Sequence, residues 1–234
     1  MKNVNIMNET KSPQANIDQS NGVIQFENFY LKKDFKGAAN YLVQNKKLFD
    51  SGIFHYNLGT VYSKMGDYPT ARFHIEKAIR GGYINSASLN NQNFIKSQLN
   101  VDDLTTSTNL SDQLMNTAIS IPSSAYLSLT LILLMFGLSL LKNKKLIKKV
   151  SITFFFSLVF IPIFFSTFYL DKINYAVAFK DLPLYEGPSK IFTEKGKVKA
   201  GSKIILGEFK EGWFYVKFPI SLTGWVSKDQ LGLY

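Results

Sequence analysis

Residues 123–170 read SSAYLSLTLILLMFGLSLL, then KNKKLIKK, then VSITFFFSLVFIPIFFSTFYL, and this stretch divides the chain into its parts. Neither 123–141 nor 150–170 holds a charge. A helix needs about 20 apolar residues to cross a hydrocarbon core of about 30 Å, and a Lys or Asp at its centre costs about 3 kcal/mol on insertion scales. Both runs meet the length and escape the penalty. A soluble helix would also carry a polar stripe at the 3.6 period, whereas the polar residues here are mostly Ser and Thr, whose hydroxyls bond back to their own helix in lipid. Two transmembrane helices, 123–141 and 150–170, are expected, the second kinked at Pro162.

Working outward, the charge balance takes its meaning from this hairpin. The 234 residues carry 27 Lys+Arg against 17 Asp+Glu, a net +10, but residues 1–122 hold 12 against 10 and residues 171–234 hold 10 against 7. Half of the excess is Lys142, Lys144, Lys145, Lys148 and Lys149, in the turn between the apolar runs. A charge concentrated there reports topology and gives little support to a nucleic-acid surface. The positive-inside rule places the 142–149 turn in the cytoplasm and both flanks outside, which in a diderm cell is the periplasm. Asp102, Asp103 and Asp112, with no Lys or Arg between residues 101 and 124, agree. Residues 1–22 are polar and lack the apolar core of a signal peptide. That leaves three readings, in falling order: translocation driven by the hairpin, a true start upstream of Met1, or the inverse orientation.

On the amino-terminal side, residues 52–85 read GIFHYNLGTVYSKMGDYPTARFHIEKAIRGGYIN. Gly59 and Ala71 are small enough for two helices to cross closely, Tyr62 and Ile75 fill the space beside them, and Gly66-Asp67 with Pro69 separates the helices. The order Leu58-Gly59, Tyr62, Gly66, Tyr68, Ala71, Ile75 and Ala78 resembles the tetratricopeptide (TPR) repeat, although His55 replaces a usual large residue and Tyr83 a usual Pro. One helix pair cannot bury its own apolar face. Upstream, Phe29-Tyr30, Asp34-Phe35, Ala38 and Leu42 reproduce Tyr62, Asp67-Tyr68, Ala71 and Ile75 at an offset of 33, and residues 87–99 offer a capping helix. A TPR-like domain of about two and a half repeats is expected over 22–100, after a disordered 1–21. The resemblance implies a concave groove lined by Asn57, Thr60, Lys64 and Asn91. Residues 101–122, rich in Thr, Ser and Asn, read as a polar spacer.

Beyond the hairpin, residues 171–234 break into short β-rich runs: NYAVAF, PLYEGPS, KIILGEF, GWFYVKF and GWVS. Five or six strands would make a small barrel, with Trp213 and Val216 expected to alternate with Phe214 and Tyr215, and Gly224 bending the chain so that Trp225 closes the barrel. Leu184-Tyr185 with Gly187-Pro188-Ser189, Gly201 to Ile204, Gly212-Trp213 to Val216, Gly224-Trp225-Val226 and Leu231 resemble, in that order, the bacterial SH3-like (SH3b) domain. The resemblance implies an aromatic groove for peptides or cell-wall fragments, with Tyr185, Trp213 and Tyr215 as candidate contacts and core packing as the competing role of either Trp.

No enzyme is legible. Zero cysteines exclude a disulfide scaffold, a thiolate zinc site and a cysteine nucleophile. There is no HExxH, Walker loop or G-x-S-x-G, and His55 and His74 lie on different helices without third and fourth metal ligands, so no metal or cofactor is expected. Neither span carries an ionisable residue to relay an ion, so the hairpin reads as an anchor. The fold class is a multidomain membrane protein: an all-α TPR-like repeat, a two-helix transmembrane hairpin and a small all-β SH3-like barrel. That architecture resembles the bacterial aerotolerance-operon proteins of the BatE type. The resemblance implies an inner-membrane adaptor working beside membrane-anchored von Willebrand A-domain proteins and a MoxR-type AAA+ ATPase. A peptidoglycan-binding wall sensor is the alternative.

Overall fold

The computed structural model describes residues 13–143, 149–229 and 231–234, and the chain divides into two units at Gln98 and Leu99. The first unit is helical: α1 (Pro13–Leu31), α2 (Phe35–Gln44), α3 (Ser51–Lys64), α4 (Tyr68–Arg80) and α5 (Ser86–Gln98). Helix α1 starts inside the stretch expected to be disordered, so the helical part reaches back to Pro13; residues 1–12 lie outside the described residues.

The offset of 33 is a repeat of structure as well as of sequence. Asp34 caps α2 by accepting from the Gly37 amide at 2.9 Å, and Asp67 caps α4 by accepting from the Thr70 amide at 3.2 Å. The amides of these two aspartates donate to Phe29 and Tyr62, both at 3.0 Å, closing the same turn twice. Lys33 at φ 59° stands where Gly66 stands at φ 78°, so both turns pass through the left-handed region. Past each turn, Ala38 and Leu42 repeat as Ala71 and Ile75, and all four are fully buried. Gly59 explains the close crossing of α3 and α4, since a Cβ there would stand 2.6 Å from Ile75 Cγ1 and 3.0 Å from its backbone nitrogen. Leu89, on the capping helix α5, is 41% exposed. Ser88 and Ile95 are the buried residues of α5.

The second unit holds the apolar hairpin, α7 (Ser123–Lys142), α8 (Lys149–Val159) and α9 (Ile161–Phe168), preceded by α6 (Leu110–Ser120). The stretches Ser123–Lys142 and Lys149–Lys172 are each long and apolar enough to cross a membrane. Helix α8 ends at Val159 and α9 begins at Ile161, with Pro162 in its first turn. Proline has no N–H to donate to the carbonyl four residues back, which is why the second stretch breaks there. Gly137 lies against the Phe155 ring, where any larger residue would collide, and small residues at such crossings let apolar helices approach.

The β part is a seven-stranded antiparallel sheet made of β1 (Asn174–Ala178), β2 (Leu182–Tyr185), β3 (Glu194–Val198), β4 (Lys203–Lys210), β5 (Trp213–Phe218), β6 (Gly224–Ser227) and β7 (Leu231–Leu233). Its order is β3-β2-β6-β5-β4-β1-β7, and β3 and β7 do not pair with each other, so the expected barrel of five or six strands is corrected to an open sheet. Strand β7 has no run of its own among the five β-rich runs, and neither has β3. The β3 sequence EKGKV carries exposed charges that read as a loop, and such charges are how an edge strand avoids further pairing. Glu211 and Gly212, both at positive φ, make the two-residue turn that pairs Lys210 with Trp213. The core collects Ala176, Leu182, Leu184, Val198, Ile204, Leu206, Val216 and Val226.

Residues 99–122 are not a free spacer. Asp103, 2% exposed, accepts from the Lys203 amide at 2.8 Å, and the Leu104 amide donates to the Lys203 carbonyl at 3.2 Å. Asp112, 1% exposed, accepts from the Ile220 amide at 3.2 Å. Leu104, Met115 and Ile119 pack with Tyr175 and Ile205. Leu99 lies against Gly201, whose φ of 86° and crowded surroundings suit no other residue. Composition pointed to a linker because these hydroxyls and carboxylates are polar, yet one carboxylate accepts from the Lys203 amide of β4 and another from the Ile220 amide in the turn after β5.

Candidate functional site

In the helical unit, Asn57, Thr60 and Lys64 recur at helical spacing on one face of α3, with Ile53, 37% exposed, a turn before them. Asn91 of α5 donates to Thr60 Oγ1 at 3.0 Å, while Thr60 donates in turn to the Tyr56 carbonyl at 2.9 Å. The structure thus brings all four candidate groove residues to neighbouring helices. Thr60 and Asn91 are joined to each other, Asn57 is half-buried, and Lys64 is exposed.

The two histidines meet on the opposite side of α3. The Nδ1 atoms of His55, on α3, and His74, on α4, are 2.9 Å apart, so one ring donates its N–H and the other accepts. His74 is stacked between rings, with His55 at 5.1 Å and Tyr62 at 5.6 Å between centroids. Burial, followed by the positive charges of Lys77 and Lys46, pushes His55 down to about 4. Burial, then His55 itself, then Lys77 and Lys46, push His74 down to about 3. Both rings are neutral near pH 7. Their facing nitrogens are occupied by each other, and among the described residues no group of three or more His, Cys, Asp or Glu could hold a metal. Sequence reasoning placed the two histidines on different helices, but nothing in their spacing of 19 residues marks a hydrogen bond.

In the β unit, alternation decides the site. Val216 and Val226 are fully buried, so their strand neighbours Tyr215 and Trp225 point to the other face, and with them Trp213. Both tryptophans are therefore outside the core, which corrects the expectations that Trp213 shares a face with Val216 and that Trp225 closes a barrel. Tyr215 pairs across the ladder with Trp225, which also pairs with Tyr185. Trp213 meets Tyr185 edge-on at 5.5 Å, and Tyr215 meets Trp225 at the same separation. Four half-buried rings form one outward platform. Gly224 makes room for it: at φ 155°, a Cβ there would stand 2.8 Å from Leu184 and 2.9 Å from the Tyr185 carbonyl. Trp225 is the member that sequence reasoning missed as a contact. The signal was available in Lys217, exposed and of the same parity as Trp213 and Tyr215, which marks that face of β5 as outward.

Lys142 and Lys149 are exposed at the facing ends of α7 and α8. Lys144, Lys145 and Lys148 lie outside the described residues. No family model, no curated protein and no solved structure matches this chain.

Proposed function

We propose that the chain is a non-enzymatic, membrane-anchored adaptor of the bacterial cell envelope, a TPR-like helical module and an SH3b-like module held on one hairpin. The observation that carries this reading is the outward platform of Tyr185, Trp213, Tyr215 and Trp225. Aromatic rings fixed on rigid strands and left half-exposed offer a large apolar contact area at small entropic cost, the composition of protein recognition surfaces. The α3 face with Asn57 and Lys64 supplies a second, polar surface. By the BatE-type resemblance, the partners are membrane-anchored von Willebrand A-domain proteins and the setting is aerotolerance. Both modules are periplasmic if the lysine turn obeys the positive-inside rule.

The test uses the full chain in its membrane. Cross-linking followed by mass spectrometry should yield a defined partner that is lost from the Trp213→Ala, Trp225→Ala double variant, with circular dichroism unchanged. Protease added to intact spheroplasts should digest both modules. Retention of every cross-linked partner in the double variant, or protection of both modules until lysis, overturns the corresponding part of the proposal.

The same platform favours one second reading. Aromatic faces of this kind also stack on sugar rings, so binding of the purified full chain to cell-wall sacculi, lost in the double variant, would identify a peptidoglycan-binding module instead.

A further inference from the structure

Helix α6 has two unlike sides. Inward, Met115 and Ile119 pack on the sheet and Asp112 accepts from the Ile220 amide. Outward, Leu110 is 69% exposed and Leu114 63%, with Ile121, 41% exposed, just past the helix. Asp112 is the one ionisable residue of the helix, and it is turned inward, so the outer face is uncharged. Three polar side chains of the helix bond within the chain: Thr117 donates to the Gln113 carbonyl at 2.8 Å, Ser120 to the Asn116 carbonyl at 2.7 Å, and the Gln113 amide to the Ser107 carbonyl at 3.3 Å. Hydroxyls folded back on their own helix need no water.

What covers this face follows from where the helix ends. Only Ile121 and Pro122 separate α6 from α7, the first of the two stretches able to cross a membrane. The join is fixed by a hydrogen bond, Tyr126 Oη donating to the Ala118 carbonyl at 3.0 Å. Tyr126 lies 6.4 Å from Phe165 of α9, and Tyr169, 46% exposed, follows α9 at the same end of the hairpin. Two tyrosines at one end of a spanning hairpin are the aromatic belt that marks the boundary of water and lipid.

We infer that the outer face of α6, with Leu110, Leu114 and Ile121, lies in the interfacial layer of the bilayer, so that the strap 99–122 seats the β-sheet on the membrane surface. The inference rests on the hairpin spanning the membrane. An uncharged amphipathic helix binds such a boundary through its buried apolar side chains alone. The consequence for function is geometric: the Asp103 and Asp112 hydrogen bonds tie the sheet to a helix lying on lipid, which limits how far the aromatic platform can move from the membrane.

The chain has no cysteine, so single-cysteine variants carry a spin label without background. The full chain is reconstituted into vesicles of phosphatidylcholine and phosphatidylglycerol, with labels in turn at L110C, L114C, I132C within α7 as the lipid control, and D102C as the aqueous control. Collision with oxygen is compared with collision with a water-soluble nickel chelate. The expected result is oxygen-favoured access at 110 and 114, shallower than at 132, with nickel-favoured access at 102. Nickel access at 110 and 114 equal to that at 102, with 132 still in lipid, overturns the interfacial helix and leaves the hairpin standing. Nickel-favoured access at 132 overturns both. Labels at 110 and 114 shielded from both reagents also overturn it, in favour of contact with a second copy.

Discussion

The histidine pair makes the stability of the helical unit fall with acid, and the size of the fall follows from the geometry. His55 and His74 are held neutral, at about 4 and about 3, first by burial of their rings and then by nearby positive charge, that of Lys77 and Lys46 on both and that of His55 on His74. In the unfolded chain both titrate near 6.5. Since the folded values lie below the unfolded ones, the unfolded state binds more protons beneath pH 6.5, and stability drops as the pH falls. The fall begins near pH 6.5 and ends only when the folded rings themselves titrate. From about pH 7 to about pH 5.5 each ring removes roughly 1.2 kcal/mol, so the pair removes about 2 to 3 kcal/mol, a large part of the stability of a small domain. Hydrogen exchange of the full chain in detergent, read by mass spectrometry on peptides from α3 and α4 and corrected for the intrinsic rate at each pH, measures the change directly. The double variant His55→Gln, His74→Gln should flatten it. Protection in α3 and α4 that is independent of pH between 7 and 5.5, or that rises with acid, would refute the reasoning.

Three further outcomes follow from single contacts. Gly59→Ala should destabilise the α3 and α4 pair by about 1 to 2 kcal/mol despite its better helix propensity, because the new Cβ meets the Ile75 backbone, and urea unfolding followed by helical circular dichroism would show it. Lys33→Gly should stabilise the first helix pair by up to about 1 kcal/mol in the same measurement, since φ 59° strains a lysine and not a glycine. Asp103→Ala should cost about 1 to 3 kcal/mol by leaving the buried Lys203 amide without its acceptor, visible as faster hydrogen exchange at the start of β4 and slower exchange nowhere.

The elements that could be read from the sequence are those whose signal is local. An uncharged run of about 20 residues, a proline inside it, and a capping aspartate recurring at an offset of 33 are each fixed by the solvation or backbone geometry of a few neighbours. They gave the two apolar stretches, the break before Ile161 and the repeated turns at Asp34 and Asp67. Parity along β5 was equally local, and Lys217 could have assigned the outward face, but a large aromatic residue reads as core unless its strand partners are known. Tertiary structure decided that Trp225 stands outside beside Trp213, because Val216 and Val226 fill the space on the other face. It decided that β3 and β7 are edges, since the charges of β3 suit a loop as well as an edge strand and only the pairing of distant strands separates the two. It also turned the polar segment 99–122 into a strap and brought His55 to His74, contacts of Asp103 with Lys203, 100 residues away, and of two rings 19 residues apart. A carboxylate that will cap a distant amide and one that will face water have the same composition, and only the packed chain distinguishes them.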